Sequence, residues 1–249
     1  MKSDQLRHAL AKAAAVTFLV FPLASWGNFA EGEEAYLKND LWGAYRKFLE
    51  LSKVGDPQAQ AMIGRMYLEG QGLPRDFRTA AISYERAADQ GHAASQYQVA
   101  KMYAVGAGVK QDLVRAAQLM EKSADQGVLW AMYSLGLMYK DGTGVAKDAV
   151  QALKWIALAA ASPESAATAE YIKLAKTAKA ELESSMAADR VQESEKLVTQ
   201  WNATKRVRDT HWQKAINRPI EVRASDITPV NPNADKDKQL VRDYYPQSK

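Results

Sequence analysis

Apolar and small residues recur through the middle of the chain at intervals of three and four, the spacing of amphipathic helices. Between residues 58 and 69 this spacing places Ile63, Met66 and Tyr67 on one face. A second helix is predicted from Asp76 to Asp89, with an inner stripe of Ala80, Tyr84, Ala87 and Ala88. One such hairpin cannot bury its apolar face alone, so the pattern predicts several stacked hairpins.

The same pattern returns every 36 residues. Matched positions include Gly55, Gly91 and Gly127; Met66, Met102 and Met138; Tyr67, Tyr103 and Tyr139; Gly70, Gly106 and Gly142; Gly72, Gly108 and Gly144; and Asp76, Asp112 and Asp148. Nine positions keep register over three copies, which indicates structural repeats.

Each matched position has a physical role in the predicted hairpin. Glycine just past a helix can adopt the left-handed conformation that closes the last turn, as expected at Gly70. Aspartate before a helix accepts hydrogen bonds from free backbone N–H groups, as expected at Asp76. The small residues Gly64, Ala100 and Gly136 are expected to let a neighbouring helix approach closely.

At these residues the sequence resembles the Sel1-like repeat family, a relative of the tetratricopeptide repeats. The motif reads Ile-Gly-Arg-Met-Tyr over 63–67 with Gly-Gln-Gly-Leu over 70–73, and Leu-Gly-Leu-Met-Tyr over 135–139 with Gly-Thr-Gly-Val over 142–145. The resemblance covers 55–162 and implies an all-α fold, a right-handed alpha-alpha superhelix (solenoid). It also implies an interaction role.

The repeats suggest a division of the whole chain. The predicted segments are a signal peptide (1–27), a cap hairpin (28–54) turning at Asn39-Asp40, three repeats (55–90, 91–126 and 127–162), capping helices (163–203, with helices at 164–183 and 189–203) and a basic, extended or disordered tail (204–249).

The N-terminal segment has the pattern of a targeting sequence. Lys2, Arg7 and Lys12 precede an apolar run over 13–24 that is too short to span a bilayer. Ser25 and Gly27, or alternatively Ala24, offer small residues for cleavage. We therefore expect a periplasmic or secreted protein; an uncleaved anchor or a buried helix is the alternative.

Composition excludes several classes of chemistry. The chain has no cysteine and only His8, His92 and His211, so disulfides, thiolate sites and imidazole clusters are not expected. No cofactor and no metal site are predicted. The formal charge of +4 belongs to the two ends, while residues 28–203 carry −2, which argues against nucleic acid as a partner. The basic tail offers a contact for an anionic membrane surface.

The first helix of each repeat is expected to line a concave groove. Its predicted partner-binding residues, aromatic and basic, are Arg65, Tyr97, Lys101, Trp130, Tyr133 and Lys140. Aromatic rings give contact area at low entropic cost, and basic groups bind carboxylates. The alternative is that Tyr97, Trp130 and Tyr133 pack between helices of the chain itself.

The predicted function is a non-catalytic scaffold or adaptor that binds a protein or peptide in the cell envelope. One alternative is an enzyme acting on peptidoglycan or a β-lactam, an activity associated with cysteine-rich Sel1-like relatives; those relatives carry disulfides that this chain lacks. Another alternative is a polysaccharide-binding module that uses Trp130 and Tyr133 as stacking platforms.

Overall fold

The computed structural model describes residues 21–165 and 168–204, and regular structure within these ranges is entirely helical. The helices of this part of the chain are α1 Phe21–Leu37, α2 Leu41–Lys53, α3 Pro57–Glu69, α4 Phe77–Asp89, α5 Ala93–Val105, α6 Leu113–Asp125, α7 Leu129–Asp141, α8 Ala149–Ala160, α9 Ala169–Ser185 and α10 Ala188–Thr204. They divide into two compact units, the first ending at Arg75 and the second beginning at Asp76.

In the first unit, α1 and α2 form the hairpin expected before the repeats. The predicted turn is confirmed: Asn39 has a φ of 63°, and the Asp40 carboxylate accepts a hydrogen bond from Gly43 N at the start of α2. The rings of Phe29 and Phe48 lie 5.2 Å apart. Gly32 leaves room for Phe48, because a Cβ there would approach Cε1 within 2.6 Å.

Helix α3 completes the first unit. The Asp56 carboxylate accepts hydrogen bonds from the N–H groups of Gln58 and Ala59, and Pro57 occupies the first turn, where its missing N–H costs nothing. The helix ends at Gly70, which has the predicted left-handed conformation with a φ of 71°.

In the second unit, α5 pairs with α6 and α7 pairs with α8, as the repeat predicts. The predicted caps are confirmed, because Asp76, Asp112 and Asp148 accept backbone hydrogen bonds at the starts of α4, α6 and α8. Gly136 has the predicted close contact, since a Cβ there would lie 2.5 Å from Ile156 Cγ1.

The helices after the third repeat follow a different arrangement. Helix α9 begins at Ala169, later than the predicted residue 164, and just before it Ser165 N donates a hydrogen bond to Thr168 Oγ1. Both α9 and α10 pack against α8. Arg190 Nη2 lies 3.7 Å from Asp148 Oδ1 at the start of α8, and further along α10 Trp201 meets Trp155 at a centroid distance of 6.4 Å. Helix α10 therefore runs in the same direction as α8.

The two predicted end segments fall largely outside the described residues. Helix α1 begins at Phe21, inside the segment 1–27 assigned to a signal peptide, and α10 ends at Thr204, where the basic tail was placed. Within the described ranges, no helix combines the length and the apolar character needed to cross a bilayer.

Candidate functional site

Four of the six predicted partner-binding residues are buried by the fold. Arg65 lies on α3 of the first unit, whereas the second unit holds the others: Tyr97 and Lys101 on α5, and Trp130, Tyr133 and Lys140 on α7. The residues on α3, α5 and α7 have different environments, and these environments determine whether a partner could reach each side chain.

Trp130 and Tyr133 are covered by the chain's own α9. They are only 4% and 6% exposed, and the ring of Tyr171 lies 4.4 Å from that of Trp130 and 6.2 Å from that of Tyr133. Burial, with Glu181 nearby, raises the pKa of the Tyr133 hydroxyl. Of the two possibilities left open by the sequence, Trp130 and Tyr133 therefore show the one in which they pack between helices of the chain itself. The stacking platform suggested for a polysaccharide is filled by Tyr171.

Tyr97 and Lys101 on α5 are likewise enclosed. Tyr97 is 2% exposed and Lys101 is 6% exposed, with Lys101 Nζ 5.4 Å from the centroid of the Tyr97 ring. The ammonium group therefore lies within the range of a cation–π contact. The expectation that both side chains face an open groove is wrong, because the fold buries them.

Lys140 remains accessible in part. It lies in the last turn of α7, where a cation is favoured by the helix dipole, and it is half-buried. No carboxylate among the described residues forms an ion pair with it. Its assignment to partner binding stays a prediction.

Arg65 is held in a defined orientation within the first unit. Its Nε donates to Glu69 Oε1 at 3.1 Å, and its Cζ lies 6.0 Å from the centroid of the Tyr36 ring. The side chain is 15% exposed, against 21% for Glu69. The hydroxyl of the same tyrosine donates a hydrogen bond to Gln71 Oε1.

Sequence reasoning missed a second aromatic group in the first unit. Trp42 is 57% exposed and stacks on Tyr45 at 5.5 Å, and the Tyr45 ring meets that of Tyr67 edge-on at 6.0 Å. The two tyrosine hydroxyls lie 3.0 Å apart. Burial, together with this hydrogen bond, raises the pKa of Tyr45 to about 12. Only Tyr67 belongs to the repeat register, which explains why periodicity did not reveal the group.

The enclosed histidine of the second unit has a structural role. His92 precedes α5, and its Nδ1 accepts a hydrogen bond from Ser95 N while lying 2.8 Å from Ser95 Oγ. Burial lowers the pKa of His92 to about 4, so the imidazole is neutral at pH 7. Within the part of the chain that the structure describes, no three histidine, aspartate or glutamate side chains converge as a metal site would need.

Comparison with known proteins identifies the repeats. The Sel1 repeat model matches residues 57–92, 93–128 and 131–163. A protective antigen present in uropathogenic Escherichia coli strains, whose solved structure displays an SLR fold, is 23% identical to this chain with a TM-score of 0.60. That match covers 90% of this chain but 42% of the antigen, so it shows the fold alone.

A Sel1 repeat protein from Oxalobacter formigenes is also similar. It is 33% identical, with a TM-score of 0.46, and the match covers 51% of this chain and 96% of that protein. None of the curated proteins compared with this chain matches it. The three repeat matches, with their glycine and aspartate positions in the observed geometry, establish that this all-α chain belongs to the Sel1 repeat family.

Proposed function

We propose that this chain is a non-catalytic scaffold that binds a protein or peptide partner in the bacterial cell envelope. The observation that carries the proposal is the set of three Sel1 repeats. Proteins built from these repeats are generally protein-interaction scaffolds and are typically non-catalytic. The repeats supply the frame, and side chains outside their packing provide the binding specificity.

The accessible polar groups support a partner-binding role for the first unit. Arg65 keeps a partly exposed guanidinium that Glu69 and Tyr36 orient. The four predicted residues that the fold buries in the second unit contribute through packing. A partner would therefore be recognised mainly through Arg65 and its surroundings, with Lys140 as a separate basic contact.

Envelope location is proposed from the N-terminal sequence. The basic residues Lys2, Arg7 and Lys12 precede the apolar run, and small residues follow it. Cleavage after Gly27 would leave Asn28 as the first residue and would retain Phe29, whose ring packs on Phe48. The cap hairpin would thus keep this core contact after export.

The scaffold proposal can be tested by affinity capture from a solubilised envelope fraction. We expect one or a few proteins to be recovered in a saturable manner and to bind again when purified and mixed with the chain. The same preparation should not hydrolyse nitrocefin or release fragments from peptidoglycan. Turnover of either substrate, or capture that does not saturate, would contradict the proposal.

A further inference from the structure

Two groups of hydrogen-bond donors flank the Tyr36 ring in the first unit. The Arg65 guanidinium uses Nε for Glu69, and within the described residues its two terminal Nη groups donate to no protein atom. Only 15% of the Arg65 side chain is exposed, so packing against neighbouring residues restricts its position. A guanidinium held in this way presents a fixed fork of N–H groups.

The second donor group is the side-chain amide of Gln71. Its Oε1 accepts from the Tyr36 hydroxyl, which fixes the orientation of the amide. Its Nε2 group then keeps two N–H donors that no atom of the described residues accepts. Tyr36 therefore contacts both donor groups, because Arg65 lies over its ring and Gln71 accepts a hydrogen bond from its hydroxyl.

We propose that Tyr36, Arg65 and Gln71, here called the donor site, bind a carboxylate group of an extended peptide partner. This inference rests on the proposed scaffold function and adds the chemistry of the partner. The two Nη groups of an arginine match the two oxygens of a carboxylate in a bidentate pair. The Gln71 amide supplies donors for a neighbouring backbone carbonyl of the same peptide.

The local charge favours a carboxylate over a phosphate. Glu69 is bound directly to Arg65, so the pair carries little net positive charge to offset the larger desolvation penalty of a dianion. A singly charged carboxylate can form the same two hydrogen bonds with the Arg65 Nη groups and has a smaller desolvation penalty. Both a peptide C terminus and an Asp or Glu side chain carry this group.

The second repeat shows why the site is confined to the first. Lys101 occupies the position of Arg65 one repeat later and also lies over a tyrosine ring, that of Tyr97. It is only 6% exposed, so the equivalent cation is enclosed by the fold. Lysine also lacks the planar fork that pairs with two carboxylate oxygens.

The test uses the full chain labelled with ¹⁵N-arginine, with the Arg65 Nε–Hε signal as the probe. The ligands are acetylated tripeptides in four forms: free C-terminal acid, C-terminal amide, amide containing Glu, and amide containing phosphoserine. We expect saturable shifts with the free acid, the Glu peptide or both, and none with the neutral amide. Equal binding of the neutral amide, or preference for phosphoserine, would overturn the proposal.

Matched variants separate binding from folding. Arg65→Lys keeps the charge and loses the fork, so we expect affinity for the acid to fall about tenfold. Gln71→Glu replaces donors with an acceptor and should weaken binding similarly. Arg46→Gln, at an exposed arginine of α2, should leave affinity unchanged. A loss with Arg46→Gln equal to that with Arg65→Lys would overturn the assignment.

The two proposals can fail separately. If affinity capture yields a partner that binds Arg65→Lys as tightly as the unaltered chain, the donor site is wrong and the scaffold function stands. If acids bind at Arg65 and no macromolecular partner is recovered, the donor site stands and the scaffold function is wrong.

Discussion

Gly144 lies directly against the backbone carbonyl of Leu113, so that a Cβ at position 144 would be 2.1 Å from the Leu113 oxygen. Gly108 has the same relation to Phe77, with a corresponding distance of 2.2 Å. In each case the second glycine of a loop contacts the first residue of the second helix one repeat earlier. These glycines therefore allow the close contact between neighbouring repeats, in addition to allowing the left-handed backbone of the loop.

Replacing Gly144 with alanine should destabilise the fold more than replacing Gly127. Both glycines have positive φ, 71° and 87°, so both substitutions carry a backbone strain of about 1 kcal/mol. Only Gly144→Ala adds a backbone collision, because nothing lies within 4 Å of a Cβ at Gly127. We expect an additional loss of about 2 kcal/mol in the free energy of unfolding, measured in urea. Equal losses in the free energy of unfolding for the two variants would show that Gly144 does not lie as close to the Leu113 carbonyl as described.

Stability should decrease as the pH falls through the range set by His92. The unfolded chain binds a proton on this imidazole near pH 6.5, whereas burial lowers the pKa of the folded form to about 4. Above about pH 6.5 neither form of the chain is protonated at His92, and the free energy of unfolding has its full value. Between about pH 6.5 and pH 4 only the unfolded chain binds the proton, so the free energy of unfolding falls by about 3 kcal/mol.

His92→Asn provides the control for this pH dependence. Asparagine can still cap α5 and does not titrate, so the difference in unfolding free energy between the two proteins should vary with pH. Both proteins retain His8 and His211. A difference that stays constant from pH 7 to pH 4 would contradict the enclosed, neutral imidazole.

Tyr171 should be a major contact between α9 and the third repeat. Tyr171→Ala removes the ring that packs on Trp130 and Tyr133, and we expect a loss of about 3 to 5 kcal/mol. Tyr171→Phe keeps the ring and should cost about 1 kcal/mol. Urea unfolding of the two variants checks the expectation. If both variants lose the same small amount, the ring does not hold α9 in place.

Export should produce a mature chain that begins near Asn28. Fractionation of cells that express the full sequence, followed by mass spectrometry of the purified protein, measures both the location and the N-terminal residue. Arg7→Glu with Lys12→Glu should leave the chain uncleaved, because the basic segment before the apolar run is lost. An intact N terminus on the unaltered chain would favour the uncleaved anchor instead.

Much of the fold follows from local chemistry that periodicity reveals. Asp112 and Gly106 act at helix ends through their own side chain or backbone freedom, so their roles could be predicted from a 36-residue interval. The environment of Trp130 could not be predicted in this way. It depends on Tyr171, about 40 residues later in the chain and outside the repeat.

The candidate site shows the same contrast. Arg65 could be selected from its position on the first helix of a repeat. Tyr36 comes from the cap hairpin and Gln71 from the loop after α3. Only the folded first unit places the Tyr36 ring against Arg65 and the Tyr36 hydroxyl against Gln71. The spacing of residues along one helix predicts which of them share a face. Contacts with distant segments of the chain decide whether that face is accessible to a partner.

The central claim is that this chain holds a protein partner beside Arg65, and photocrosslinking in living cells tests it most directly. A photoreactive residue in place of exposed Pro74, three residues after Gln71, should give a discrete adduct that Arg65→Gln abolishes. The same residue in place of exposed Lys122 on α6 should give no such adduct. An adduct that is equally strong at both positions, or that persists with Arg65→Gln, would contradict the claim.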